Sequence, residues 1–412
     1  MGRERADVTL RELFGDLTLE VERCIRCGFC NSVCPTSLIE SAFPPSRTSR
    51  GRLVLLQSVL SIGSPDPFTE KFKGLIDLCF GCTRCESVCP AGIPIPRIMQ
   101  RYRHAYYSIR GKGKIRVAEM ALANYHTVAR IISRMSPLSR KLMAHQKFRS
   151  LLSCTLGIAD DIPLPLPEGG TLDSRLRDLR VSDARFAYFA DTFVRYVRPS
   201  IGLRLLSLLR SCGDSYVMPP QRDSGIVLLE LGLLDELEAF MRFNVESLHN
   251  HVRQGRYIIT TSPAATLMLR HEYPKLLGNQ KSIEVSERVV DVHEYLSSQI
   301  EKGRLRTKAY YDGVLLHSTC FSQRLRLTAL IEGILEFSGC EVMGVVTECC
   351  GMGGLWGMIR DNRRVSLESG RRLFERVRGQ VVVSNSETCI LQLNSVPSLT
   401  SVLPIDAITL AG

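Results

Sequence analysis

Two stretches of this chain carry cysteines at a spacing suited to iron–sulfur chemistry. Cys24, Cys27, Cys30 and Cys34 read C-x-x-C-x-x-C-x-x-x-C and are followed by Pro35. Cys79, Cys82, Cys85 and Cys89, followed by Pro90, repeat the pattern. Soft thiolates suit such clusters. In this spacing three of them hold one [4Fe–4S] cube and the fourth reaches to the other. On that rule Cys24, Cys27, Cys30 and Cys89 hold cluster 1, and Cys79, Cys82, Cys85 and Cys34 hold cluster 2. A pair of structural zinc sites is the alternative, because C-x-x-C is also a zinc pattern, but zinc sites lack the trailing Cys-Pro. Two [4Fe–4S] clusters imply a protein that moves electrons.

A second constellation stands towards the C-terminus: Cys320, the pair Cys349-Cys350 before Gly351, and Cys389, with Ser386 a candidate further donor. Four thiolates suffice for a third [4Fe–4S] cluster and equally for closed tetrahedral zinc, so ligand count leaves both open. Cys154, Cys212 and Cys340 stand alone and read as small buried hydrophobes. No Ser/His/Asp or paired-carboxylate arrangement suggests hydrolysis, and no catalytic residue is assigned.

The elements that must position these groups follow from periodicity. Residues 35–78 separate the two N-terminal motifs, more than a small βαβ-type ferredoxin allows. They carry helical apolar patterns at Arg50–Leu60 and Phe68–Leu78, split by Gly63-Ser64-Pro65-Asp66-Pro67. The expectation is an α-helical two-cluster ferredoxin domain over residues 1–111, with Leu13–Leu19 a strand or turn and Arg50-Gly51-Arg52 a surface pair at a helix start. Residues 112–181 form a basic helical connector ending in the Pro-rich stretch 163–170. Its segment Arg130–Arg149 suits a solvated helix face or a membrane surface. From residue 182 short β runs alternate with helices, as in α/β layers. They also repeat: strands are expected at 185–189, 215–218 and 257–260, then again at 313–316, 341–346 and 381–383. The repeats divide the rest into 182–300 and 301–412. Where the second copy has Cys320, Cys349-Cys350 and Cys389, the first has Thr192, Asp223-Ser224 and Ala265.

The order Cys, Cys-Cys-Gly, C-x-x-C resembles the cysteine-rich CCG module. The whole layout resembles the iron–sulfur subunits of the anaerobic glycerol-3-phosphate dehydrogenase and glycolate oxidase type, and heterodisulfide reductase subunits. The resemblance implies an α+β multidomain protein in which an α-helical ferredoxin precedes two α/β CCG modules, the first degenerate. It implies an electron-transfer subunit that takes electrons from an FAD-containing dehydrogenase subunit and passes them to quinone in a membrane-associated complex. Two departures stand out. Ser386 replaces the first cysteine of C-x-x-C, and Thr319 and Phe321 replace a proline and a histidine beside Cys320, with His317 kept. A heterodisulfide reductase-like thiol/disulfide subunit and a zinc-bearing structural anchor are the alternatives.

The totals fit. A chain of 412 residues, 44% hydrophobic, can bury several cores. Fifteen cysteines without a secretory signal imply metal ligation in a reducing, cytoplasmic setting. The formal charge of +11 comes with no helix-turn-helix, RRM or zinc finger, so nucleic acid is not the expected partner. An acidic subunit or an anionic membrane surface explains the charge as well, and charge alone does not choose between them. No run reaches the length of a membrane span. A Rossmann G-x-G-x-x-G is missing, which places the flavin on another subunit.

Overall fold

A computed structural model describes residues 12–410, except 13, 16, 40–43, 135, 136, 138–140, 144, 163, 164 and 177–183. The N-terminal residues 1–7, part of the Leu13–Leu19 lead-in, the start of the Pro-rich stretch and the 181/182 boundary lie outside the described residues. The chain forms two compact units, and neither is continuous in sequence. The first comprises Met1–Leu122, Val227–Leu234 and Cys349–Arg372; the second comprises Ala123–Ile226, Asp235–Glu348 and Leu373–Gly412.

The described part of the first unit is helical and irregular. Its helix Ser49–Ile62 starts where the Thr48 side chain accepts a hydrogen bond from Gly51 N, and it stops at Gly63, whose φ of 64° is left-handed. One face buries Leu53, Leu56, Val59 and Leu60. Thr69 caps the helix Glu70–Ile76 in the same way, accepting from Phe72 N. The helix Ile95–Arg110 takes Pro96 in its first turn and buries Ile98, Met99, Tyr102 and Tyr106. The Tyr102 and Phe72 rings meet at 5.4 Å between centroids, joining the last two helices. The lead-in corrects its expectation: Leu17–Glu22 is a helix, burying Leu17 and Val21 one turn apart.

All strands among the described residues lie in the second unit. β1 (Phe186–Phe189), β2 (Tyr216–Val217), β3 (Tyr257–Thr260) and β4 (Val289–Asp291) form a parallel sheet of order β2-β1-β3-β4. β5 (Thr307–Ala309) pairs antiparallel with a late strand, β10 (Ile408–Leu410). β6 (Gly313–His317), β7 (Glu341–Val346), β8 (Val381–Ser384) and β9 (Thr400–Val402) form a second parallel sheet of order β7-β6-β8-β9. The two orders are the same once the strands are renumbered, so the repeat read from the sequence is also a repeat of topology. One apolar core joins the two sheets, drawing Phe186, Tyr188 and Ile259 from one and Val314, Leu316 and Val383 from the other. Among the described residues of 112–181, helices span Val117–Ala123, Tyr125–Arg134, Gln146–Leu156 and Leu172–Arg175. Among the described residues no helix is long and apolar enough to cross a membrane.

Candidate metal centres

The eight N-terminal cysteines line two separate pockets in the first unit. Cys24, Cys27, Cys30 and Cys89 line one, with Gly28, Arg50, Leu53, Ile93 and Ile95. Cys34, Cys79, Cys82 and Cys85 line the other, with Thr36, Ser49, Arg52, Phe80 and Pro96. Each pocket therefore takes three thiols from one motif and one from the other. Local backbone explains the reach. Left-handed Gly28 precedes the short helix Phe29–Val33 that carries Cys30, and Cys34 leaves that helix extended, at φ −77° and ψ 120°. In the second motif Thr83, also left-handed, precedes the helix Arg84–Ser87 that carries Cys85. Neither pocket lining includes a carboxylate or a histidine. Four thiols in each pocket with no carboxylate or histidine beside them fit an iron–sulfur cluster. Among the described residues no three His, Cys, Asp or Glu side chains are arranged to hold a single metal ion.

The thiols differ electrostatically. Burial pushes Cys30 up, and the neighbouring thiols of Cys34, Cys24 and Cys27 add to it. Burial likewise pushes Cys82 up, helped by Cys349, Cys34 and Cys79. Cys85 is raised by burial and by Cys82 and Cys79. Cys34 goes the other way. Burial works against its thiolate, but the Arg52 guanidinium and the Thr36 hydroxyl outweigh burial and hold it below the ordinary thiol value. Arg52 Nη2 donates to Cys34 Sγ at 3.5 Å, and the same sulfur shares a 3.2 Å hydrogen bond with Thr36 Oγ1. This corrects the reading of Arg50-Gly51-Arg52 as a surface pair. Arg52 is 1% exposed, because the helix turns it inward against Cys34; Arg50 alone remains at the surface. A signal was present in the sequence: two arginines in a helix's first turn oppose the dipole unless an anion lies near.

Arg103 fixes the backbone of the second pocket. Buried in the helix Ile95–Arg110, it donates from Nη2 to the carbonyls of Cys79 at 2.9 Å and Ile76 at 3.0 Å. Its Nε donates to Asp77 Oδ1 at 3.1 Å and its Nη1 to the Glu230 carbonyl at 2.7 Å. Burial disfavours the Asp77 carboxylate, yet Lys73 and Arg103 hold it below the usual range. The later segments of the unit pack here too, with the Phe80 and Trp356 rings 4.7 Å apart. Gly353 and Gly354 let the backbone approach Phe80 and the Glu230 carboxyl; a Cβ on Gly354 would lie 2.0 Å from Glu230 Oε2. Burial pushes the Glu230 carboxyl up to about 8.

The C-terminal cysteines are distributed between the two units. Cys349 and Cys350 belong to the first unit, where Cys349 Sγ accepts from Gly351 N at 3.3 Å and its thiol acts on Cys82. Sequence reasoning missed this neighbour, because nothing in local spacing links residue 82 to residue 349. Cys320 and Cys389 belong to the second unit. Thr319 caps the helix Cys320–Leu325, accepting from Ser322 N, so Cys320 is its first residue. Ser386 occupies the cap position of the helix Glu387–Asn394, which buries Cys389. His317, at the end of β6, is locked by Ser384 Oγ at 3.0 Å and the Glu348 carbonyl at 3.1 Å. In the first lobe two of the three matching positions hold oxygen donors, and the third is Ala265. Thr192 Oγ1 donates to the Asp223 carboxylate, and Asp223 Oδ1 accepts from Gly225 N at 2.8 Å. Asp191 beside them is raised by burial and by Asp223.

Residues 20–93 match the family described as a 4Fe-4S dicluster domain. The chain is 26% identical over 403 residues to a subunit of the anaerobic glycerol-3-phosphate dehydrogenase of Escherichia coli K12, covering 93% of this chain and 96% of that one. It is 24% identical over 372 residues to the E. coli K12 glycolate oxidase iron-sulfur subunit, covering 84% and 85%. This chain is a homologue of those two proteins. A probable glycolate oxidase iron-sulfur subunit of Bacillus subtilis is 39% identical over 84 residues, 20% of this chain and 18% of that one. No solved structure matches significantly. Homology to iron–sulfur subunits and the N-terminal dicluster domain support an electron-transfer role. The two all-thiol pockets lie within or beside the matched residues.

Proposed function

We propose that this chain is the electron-transfer iron–sulfur subunit of a multi-subunit flavoprotein dehydrogenase and is not catalytic alone. The observation that carries the reading is the crossing of the motifs, with Cys89 in the pocket of Cys24, Cys27 and Cys30, and Cys34 in that of Cys79, Cys82 and Cys85. Crossed ligation is how two-cubane proteins pair their clusters. A [4Fe–4S] cluster in each pocket supplies reversible one-electron chemistry. Around them Leu53, Ile93 and Ile95 give the first pocket an apolar side, and Arg52 and Arg103 order the second. The partner that supplies electrons is a flavoprotein dehydrogenase of the glycerol-3-phosphate or glycolate/lactate type; the relatives' names, which mention glycerol-3-phosphate and glycolate, support the first two. Their destination is quinone, with the basic connector resting peripherally on an anionic membrane surface inside the cell.

The electrostatic interaction of Cys349 with Cys82 supports an exit from the second cluster towards Cys349, one member of the C-terminal thiol set. That set, Cys320, Cys349, Cys350 and Cys389, is read from sequence order as a third cluster or a zinc site, with Ser386 close in sequence. The test of the role is a redox cycle on protein prepared without oxygen. Dithionite is expected to generate low-temperature EPR signals, and a quinone analogue such as menadione should abolish them. Iron that neither reduces nor reoxidises contradicts an electron-transfer function.

A further inference from the structure

Arg52 stands where its local surroundings disfavour a cation. It is in the first turn of the helix Ser49–Ile62, whose free N–H groups already carry positive partial charge. Its side chain is buried and lines the pocket of Cys34, Cys79, Cys82 and Cys85. Nη1 donates to the Arg47 carbonyl at 2.8 Å and to Thr36 Oγ1 at 3.3 Å, and Nη2 donates to Cys34 Sγ at 3.5 Å. None of these partners is a carboxylate, and among the described residues Nε is buried with no hydrogen-bond partner. A buried guanidinium lacking a counter-charge is strongly disfavoured, so the pocket calls for an anion. Four thiolates around an iron–sulfur core carry net negative charge, and reduction adds one more.

Resting on the cluster reading above, we propose that Arg52 sets the reduction potential of the cluster held by Cys34, Cys79, Cys82 and Cys85. Its guanidinium donates to the Cys34 sulfur and faces a charge that grows on reduction, so it stabilises the reduced form and raises the potential. One electron arrives from the partner flavin; no covalent bond or proton changes place. Arg50 supplies the contrast. It lines the first pocket but stands in solvent, where water and salt screen its charge. Gly51 makes the arrangement compact: a Cβ there would lie 1.9 Å from the Pro45 carbonyl oxygen.

The experiment is an EPR-monitored redox titration of wild-type, Arg52→Gln and Arg52→Lys full-length protein, each with its iron counted. Arg52→Gln is expected to lower one of the two midpoint potentials and leave the other in place. Arg52→Lys, which keeps the charge but not the planar donor fork, should fall between. Unmoved midpoints in fully loaded Arg52→Gln, or both midpoints moving equally, overturn the proposal. Should Arg52→Gln fail to hold iron, Arg52→Lys decides. One displaced midpoint supports the proposal; wild-type midpoints, or no iron there either, overturn it. Wild-type protein without any [4Fe–4S] signal would instead sink the cluster reading itself.

Discussion

Two cysteines carry the crossed arrangement, Cys34 and Cys89, each lining the pocket of the other motif. Substituting Cys89 by Ala should therefore strip the cluster of Cys24, Cys27 and Cys30, although Cys89 lies in the second motif. Cys34→Ala should strip the other. Iron is expected to fall from about eight to about four per N-terminal domain in each case, with different EPR signals surviving. Loss of the same signal in both variants would refute the crossing. Glu230 gives a pH prediction at the same scale. Its carboxyl, ordinarily near 4.5, is pushed up to about 8 by burial, and Oε1 has no hydrogen-bond partner among the described residues. The folded state thus holds a proton that the unfolded state releases. This group's stabilisation is complete below about pH 4.5 and is lost as pH rises through about 8. Melting curves from pH 5 to 8 should show that fall, at most about 1.4 kcal/mol per pH unit, and Glu230→Gln should remove it. The cysteine spacings were fully legible in the sequence. Arg52 was misread: its spacing to Leu56 and Val59 puts it on the buried face, but an arginine is ordinarily exposed.

The helix Ser49–Ile62 is the element on which both pockets depend, since Arg50 and Leu53 line one and Ser49 and Arg52 the other. Gly51 sits where a Cβ would lie 1.9 Å from the Pro45 carbonyl oxygen, so Gly51→Ala must push the turn Pro45–Arg47 away. That turn supplies the Arg47 carbonyl to Arg52. Overpacking of this kind costs about 1–3 kcal/mol. A melting temperature lowered by several degrees, together with lower iron occupancy, is the expected outcome; an unchanged melt would show that the turn gives way freely. Strong elements such as this helix, β1 and β7 were legible from their period. Leu17–Glu22 was not, because Leu-Thr-Leu-Glu-Val-Glu alternates apolar and polar like a strand while only Leu17 and Val21 need burial. β4, β5, β9 and β10, three residues each, are too short for any period to register.

At the scale of the molecule, the sequence repeat announced two lobes, and the matching strand orders β2-β1-β3-β4 and β7-β6-β8-β9 agree with it. The first unit was only partly legible. Its contributions from Val227–Leu234 and Cys349–Arg372 depend on long-range packing, such as Trp356 on Phe80, that no local pattern encodes. The same blindness hid the electrostatic influence of Cys349 on Cys82. The central claim is that the crossed thiols bind two cubane clusters for electron transfer. Iron, sulfide and zinc content on protein prepared without oxygen, read beside its low-temperature EPR spectrum, tests it most directly. About eight irons and eight sulfides per chain are expected, rising to about twelve irons if the C-terminal cysteines hold a third cluster, or accompanied by one zinc if they do not. Fewer than about four irons in fully loaded protein, or zinc in place of iron at the N-terminal thiols, would contradict it.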